Sequence, residues 1–445
     1  MTTLVPDTAL IADPAVYEQG VPYDALRRLR ENAPLVWVEQ TTSAIPGIPP
    51  VPGDGFWAVL RHAQVEEVLR APRQFSSYLG GTQIFDAPFP PILDELRRMM
   101  INMDPPDHAR LRSLLTKAFT SRAVARLVER IQQRATALVE AVSEAGSADF
   151  AKEVAADLPL LTLADILGVP ESDRWLMFDW SNRVIGFQDA EYAESFSFDA
   201  QGGTEMARRA LAERPKPDAN GRMPDPRMRA GMADLYAYAR ELGEYKRSHP
   251  GDDVMSALMQ QVDSDGGRID VAEFENLFWL FSIAGNETVR NALPGGLFAL
   301  LQNPEQYQLL RERPELVPSA VEEMLRWWTP VIHFRRTATE DTVVADTRIS
   351  AGQKVVTFFV SANRDEQVFS EPDRFDITRS PNPHVAFGHG PHFCIAAELA
   401  RAQIRAMVSA VLARWARIEP AGEPVRLRSN FQNGIKHLPI QWTLA

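Results

Sequence analysis

The sequence predicts a mainly α-helical protein with a small β region, an α+β fold. Three observations carry that prediction. From about residue 62 onward, apolar side chains recur at helical spacing over 107–119, 121–145, 171–187, 231–248, 253–262, 271–302, 304–311, 316–328 and 394–416. Strand-like runs are few and short: 35–38, 56–60, 342–345, 354–358 and 438–444. One helical pattern, 271–302, holds about thirty residues, which at ~1.5 Å each is roughly 45 Å, enough to cross a whole domain.

Composition sets the outer bounds. The chain has 445 residues, 45% hydrophobic and 24% charged, which suits a globular protein with a large core. Its 47 basic and 59 acidic side chains leave a net charge of −12, which argues against nucleic acid or an anionic membrane as a general partner. The single cysteine excludes an internal disulfide and any four-cysteine zinc or iron–sulfur site. The start, MTTLVPDTALIADP, lacks the basic head and apolar centre of a signal peptide. The most apolar stretch, Leu277 to Ala284, is too short to span a bilayer. The expectation is a cytoplasmic monomer without a membrane anchor. The proline-rich stretch 214–231 is the one strong linker signal. Helical pattern resumes directly after it, so it reads as a lid loop inside a single domain of residues 1–445.

The long helix comes next. Asp270 with Glu273 makes a capping box at its start, and Asn303-Pro304 is a stop signal. Its middle is apolar nearly all round and is expected to be buried. Yet there lies Ala284-Gly285-Asn286-Glu287-Thr288, where glycine, asparagine and a carboxylate all cost stability in a buried helix. The Thr288 hydroxyl can bond the Ala284 carbonyl and loosen the turn. Pro294 removes the bond to Arg290, so a kink is expected. A helix that merely bends, with Glu287 paired to a distant base, accounts for the run as well as a functional site does.

The second unusual segment is PNPHVAFGHGPHFCIAAELARAQIRAMVSAVLARW, in which a turn bearing Gly388 and Gly390 precedes Cys394 and an amphipathic helix. A helix N-terminus favours a thiolate through its dipole and free N–H groups. Glycine lets backbone turn tightly against a flat ligand. A buried structural cysteine, a zinc site with His389 and His392, a nucleophile with His392 as base and a haem ligand all compete for Cys394. Local physics leaves the four open.

The string FGHGPHFC, 387–394, resembles the haem-binding signature of the cytochrome P-450 superfamily. Four further segments agree in order. AGNET at 284–288 resembles the oxygen-activation motif, and Glu323-Met-Leu-Arg326 the Glu-x-x-Arg pair. Glu371-Pro-Asp-Arg374-Phe resembles the later arginine-bearing motif, and MDPPDHARLRSLLTKAF at 103–119 the helix that grips the haem propionates. The resemblance covers essentially the whole chain. It implies the P-450 fold, with haem b between the long distal helix and the proximal cysteine helix. In that fold Cys394 is the iron ligand, with Phe387 packed near the sulfur, and thiolate ligation favours O–O cleavage. It places His108, Arg112, Arg336 and His392 on the propionates, Arg335 being a neighbour that could exchange with Arg336. Ala284 lies against the haem, while Thr288 and Glu287 deliver protons to oxygen. It groups Glu323, Arg326 and Arg374 in a buried ion network. One departure is Ala396, where the family usually has glycine.

The same resemblance implies a monooxygenase using O2 and NAD(P)H electrons from a separate ferredoxin and ferredoxin reductase. Arg97, Arg98, Arg110, Lys117 and Arg122 are candidates for docking that ferredoxin, though solvated charge explains them equally. Tyr78, Ile84, Phe85, Phe89, Ile283, Val331, Ile332 and Phe431 fall in the family's substrate-contact regions and favour an apolar ligand, as does plain core packing. The phrases at 333–342 and 429–440 resemble members acting on steroids, terpenoids or branched lipids, with polyketide or aromatic substrates as the alternative. A non-catalytic haem sensor would need neither Glu287 nor Thr288.

Overall fold

The computed structural model describes residues 6–39, 53–87, 89–119, 121–186, 191, 202–219, 223–226 and 228–445. Helices dominate, and the long pattern is one unbroken helix, Val271–Gln302, running through Pro294. The capping box at its start is formed: Glu273 N–H donates to Asp270 Oδ1 (2.7 Å) and Asp270 N–H to Glu273 Oε2 (3.0 Å). The other patterned segments become Asp107–Ala118, Ser121–Ser143, Trp175–Gly186, Ala233–Ser248, Val254–Gln260, Pro304–Glu312, Val317–Trp328 and Ala397–Arg414. Helix Asp157–Leu167 was not anticipated, because it is apolar on nearly every face and shows little periodicity.

The strands are β1 (Leu35–Val38), β2 (Phe56–Val59), β3 (Phe75–Ser76), β4 (Ser147–Asp149), β5 (His333–Ala338), β6 (Thr342–Val344), β7 (Thr347–Ile349), β8 (Lys354–Phe358), β9 (Trp415–Pro420), β10 (Val425–Arg426), β11 (Ile435–His437) and β12 (Pro439–Leu444). The largest sheet runs β1-β2-β8-β5-β3, with β2 and β8 parallel and its other pairs antiparallel. β5 was missed by pattern because its polar residues His333, Arg335, Arg336 and Thr337 are all buried.

The chain divides into two compact units, Met1–Asp86 with Ile131–Leu158 and Thr288–Ala445, and Ala87–Arg130 with Pro159–Glu287. The first packs the five-stranded sheet around Phe56, Ile332, Val356 and Phe358 on one face, and Val59, Val68, Val355 and Phe359 on the other. Gly295 and Gly296 let the long helix approach helix Val317–Trp328 in that unit. A Cβ on Gly295 would stand 2.2 Å from the Trp328 ring. In the second unit Trp180, Tyr238 and Phe278 stack edge to face, with centroids 5.4 Å (Trp180 to Tyr238) and 5.9 Å (Trp180 to Phe278) apart.

Of the predicted lid loop, residues 220–222 and 227 lie outside the described residues. Its end is anchored within the second unit. Arg229 N–H donates to Glu95 (2.7 Å), its guanidinium donates to Glu275 (2.6 Å) and stacks 4.2 Å over Tyr236.

Candidate active site

The cysteine turn is built by backbone. Gly388 and Gly390 both have positive φ, +73° and +68°, where side chains are strained. A Cβ on Gly390 would also meet the Leu69 carbonyl oxygen at 2.4 Å, so glycine lets helix His62–Arg70 seat against the turn. Gly388 N–H donates to the Val385 carbonyl (2.9 Å), Phe393 N–H to Gly390 (3.0 Å) and Cys394 N–H to Phe387 (3.0 Å). Cys394 itself precedes the helix, which begins at Ala397 and not at 394 as the apolar spacing suggested. Ala396 has φ −99°, an ordinary conformation, so the family's glycine is not needed there. Cys394 is half-buried.

Basic groups adjoin this turn in the first unit. His392 ends a short 3₁₀ turn, its Nε2 3.5 Å from Ser77 Oγ, one residue beyond β3. β3 pairs with β5, where Ser76 faces Thr337, and β5 carries buried Arg336. The choice between the two arginines is sharpened by Asp86, which accepts from Arg335 Nη1 (2.6 Å) and from Lys354 Nζ. Arg335 thus serves Asp86.

In the second unit His108 and Arg112 share helix Asp107–Ala118, His108 buried and Arg112 half-buried. Of the expected docking cations, Arg110 is committed elsewhere. It pairs with Asp263 (2.8 Å) and with Glu273 (2.5 Å), tying its helix to the start of the long helix. Lys117 Nζ donates to the Val262 carbonyl (3.3 Å) and Arg97 pairs with Asp94 (3.1 Å). The side chain of Arg122 lies outside the described residues.

Ala284 is exposed and Ile283, Gly285 and Thr288 are half-buried, while Asn286 and Glu287 are buried. Ala284 and Thr288, four apart, lie on the open face. Glu287 is held by a partner remote in sequence. Ser181 Oγ donates to Glu287 Oε1 (2.7 Å), and Asn286 Nδ2 donates to Ser181 Oγ (2.7 Å).

The ion network below the cysteine helix is formed, with one member changed. Glu323 and Arg326 are wholly buried and doubly bonded at 2.7 and 2.8 Å. The third side chain is Arg379, whose Nε lies 3.2 Å from Glu323 Oε2. Arg374 turns its guanidinium outward to Glu371 (3.2 Å) and contributes only its carbonyl, which accepts from Arg326 Nη2 (3.1 Å).

Two of the eight apolar candidates lie in the core. Ile84 and Ile332 are buried in the sheet cluster, Tyr78 and Phe89 are exposed, and Phe85, Ile283, Val331 and Phe431 are half-buried. One buried group was overlooked. Among the described residues neither ring nitrogen of His333 has a hydrogen-bond partner, and the ring lies 5.4 Å from the Phe358 ring and 5.6 Å from Phe431. Its burial pushes its pKa down to about 3.

The chain is similar to known proteins. Residues 237–443 match the family model described as Cytochrome P450. Over 441 residues the sequence is 37% identical to steroid C26-monooxygenase of Mycobacterium tuberculosis, covering 97% of this chain and 92% of that one. The chain belongs to the cytochrome P450 family. This P450 is also 34% identical to linalool 8-monooxygenase of Pseudomonas putida, over 97% of its own length and 98% of the relative's. Among solved structures, Mycobacterium marinum P450 CYP268A2 in complex with pseudoionone matches with a TM-score of 0.80 and 34% identity, over 99% of both chains. The P450 is a haem b monooxygenase that takes O2 and NAD(P)H-derived electrons through redox partners and hydroxylates an apolar substrate. Its donor set fits that cofactor. The first unit alone offers a thiol on a backbone-closed turn, and basic Arg336 and His392, to a group that carries iron and two anionic propionates. Among the described residues no helix is long and apolar enough to cross a membrane.

Proposed function

We propose that this P450 holds its haem iron through Cys394 and oxidises steroids, terpenoids or branched lipids. The observation that carries the ligand assignment is the Cys394 turn. Two left-handed glycines and the Cys394 N–H to Phe387 carbonyl bond present the chain's single thiol just before a helix N-terminus. The positive end of that helix favours the thiolate. Phe387 packs beside it, Arg336, His392, His108 and Arg112 take the propionates, and Ala284 gives the cofactor room on the open face of the long helix. Bound there, haem supplies the activation of O2.

The chain's own acid–base work falls to Glu287 and Thr288. Glu287, buried and accepting from Ser181, holds a proton store out of bulk solvent, and the Thr288 hydroxyl passes protons to the substrate side. Lipid substrates are supported by relatives named for a steroid and for linalool, both aligned over nearly the whole chain. The two units work as one catalytic domain, a cytoplasmic monomer fed by ferredoxin and ferredoxin reductase.

A reduced, carbonmonoxide-bound spectrum tests the ligand. The wild type should show a strongly red-shifted Soret band and Cys394→Ser should not. Spectral titration with steroids, terpenes and fatty acids then tests the substrate class. Titration by none of these, with a response to aromatic compounds, would reject it.

A further inference from the structure

Consecutive residues on a helix point about 100° apart, so Glu322 and Glu323 of helix Val317–Trp328 serve different neighbours. Glu323 has its own network. Glu322 faces the cysteine helix, where Arg401 grips it with both prongs, Nε to Oε1 at 2.7 Å and Nη2 to Oε2 at 2.9 Å. Such forked, charge-assisted pairs are strong and fix geometry. His384 adds a third bond, its Nε2 3.1 Å from Glu322 Oε2. The His384 tautomer follows from its other side. Nδ1 accepts from the Ala386 N–H (3.3 Å), so Nε2 carries the hydrogen and donates.

These groups surround one ring. The Arg401 guanidinium lies 4.6 Å from the Phe387 centroid, His384 is tilted against it at 6.0 Å, and Phe393 closes the cage at 6.2 Å. Phe387 is also the residue whose carbonyl accepts from the Cys394 N–H (3.0 Å). A continuous chain of contacts thus runs from Glu322 through Arg401 to the Phe387 ring, and through its backbone to the thiol. The cation over the ring is attracted by the ring's negative face. The carboxylate anchors that cation to a second helix.

We propose that Glu322, His384 and Arg401 are positioning residues that lock Phe387 and thereby hold the Cys394 turn in the shape that presents its sulfur to the iron. The proposal rests on the reading of Cys394 as the haem ligand. The Glu323 network holds chain segments together; this one acts on the thiol's immediate neighbour.

Two readouts test it besides turnover. Cys394 is the only cysteine, so in haem-free protein the rate of its alkylation by iodoacetamide at fixed pH reports how closely the turn holds the sulfur. In the reduced, carbonmonoxide-bound holoenzyme, the rate at which the red-shifted band converts to the unshifted thiol form reports ligand retention. Arg401→Gln and Glu322→Gln should each speed both that conversion and the alkylation by roughly fivefold or more. Arg401→Lys keeps the charge but not the fork and should fall between. Arg348→Gln, an exposed charge loss, should change neither. Should Arg401→Gln fold poorly, Arg401→Lys combined with Phe387→Leu decides. If Arg401 acts through the ring, the second change adds little to the first. Wild-type conversion and alkylation in folded Arg401→Gln and Glu322→Gln, or additive effects with Phe387→Leu, would overturn the proposal. A wild type that lacks the red-shifted band would instead reject Cys394 as ligand.

Discussion

At Glu287 the carboxylate is buried and accepts from a hydroxyl of another helix, Ser181, itself fixed by Asn286. A proton store placed this way works only if the neighbouring alcohol can take the proton onward. Thr288→Ala should therefore go on consuming NAD(P)H while product falls about tenfold and peroxide appears in its place, since a general acid–base step contributes at least that much. Unchanged coupling of electrons to product would remove Thr288 from the relay. Ser181→Ala leaves the pair in place and takes away one bond to the acid, so its loss should be smaller than that of Glu287→Gln. Glu287 and Thr288 stand out in the chain because they are adjacent and out of place in an apolar helix. Ser181 could not, because nothing local marks a serine that meets Glu287 across 106 positions. His333 is similar: its isolation is a property of Phe358 and Phe431, residues remote in sequence.

Among the elements, helix Val317–Trp328 shows why a motif does not name every partner. The Glu-x-x-Arg pair is local, three residues apart on one helix, and it forms as the spacing requires. Its third member depends on how the loop after residue 370 folds. That loop sends Arg374 outward and Arg379 inward. Glu323→Ala strands Arg326 without a counter-charge, at about 3–5 kcal/mol, and should abolish haem incorporation. Arg379→Ala should weaken haem retention, while Arg374→Ala, whose side chain is exposed, should leave haem content near wild type. Pyridine haemochrome content of the purified variants checks all three, and an Arg374 phenotype as severe as that of Arg379 would restore the first assignment. The same logic applies to Arg110. Its pairs with Asp263 and Glu273 join helix Asp107–Ala118 to the capping box of the long helix. Arg110→Glu should lower the melting temperature, whereas Lys117→Glu should act chiefly on reduction rate, most clearly at low salt. Equal loss of reduction rate in both, with stability unchanged, would return Arg110 to the docking surface.

For the whole molecule, the periodic helices, the capping box and the glycine turn were legible because each is set by residues close in sequence. The division into two units and the burial of four polar residues on β5 were not, because they arise from packing. That burial has a consequence for acid stability. Folded His333 stays neutral down to about pH 3, whereas in the unfolded chain it protonates near its ordinary value of about 6.5. Between those values the unfolded chain binds the extra proton. Stability from this residue is therefore complete above the unfolded value and is lost as pH falls, at about 1.4 kcal/mol per pH unit. The opposite type of group, Glu322, is pushed up by burial but held down to about 2 by His384 and Arg401, so it matters only below the ordinary carboxylate range. From pH 7 to pH 5 the His333 contribution should thus remove about 2 kcal/mol in the wild type. His333→Phe keeps the ring volume and ends the titration. Urea unfolding of both proteins at the two pH values isolates the effect, because His389, also shifted down by its burial, contributes equally to both. The variant should lose about 2 kcal/mol less than the wild type between pH 7 and pH 5, and equal losses would mean that His333 finds a proton-accepting partner in the folded protein.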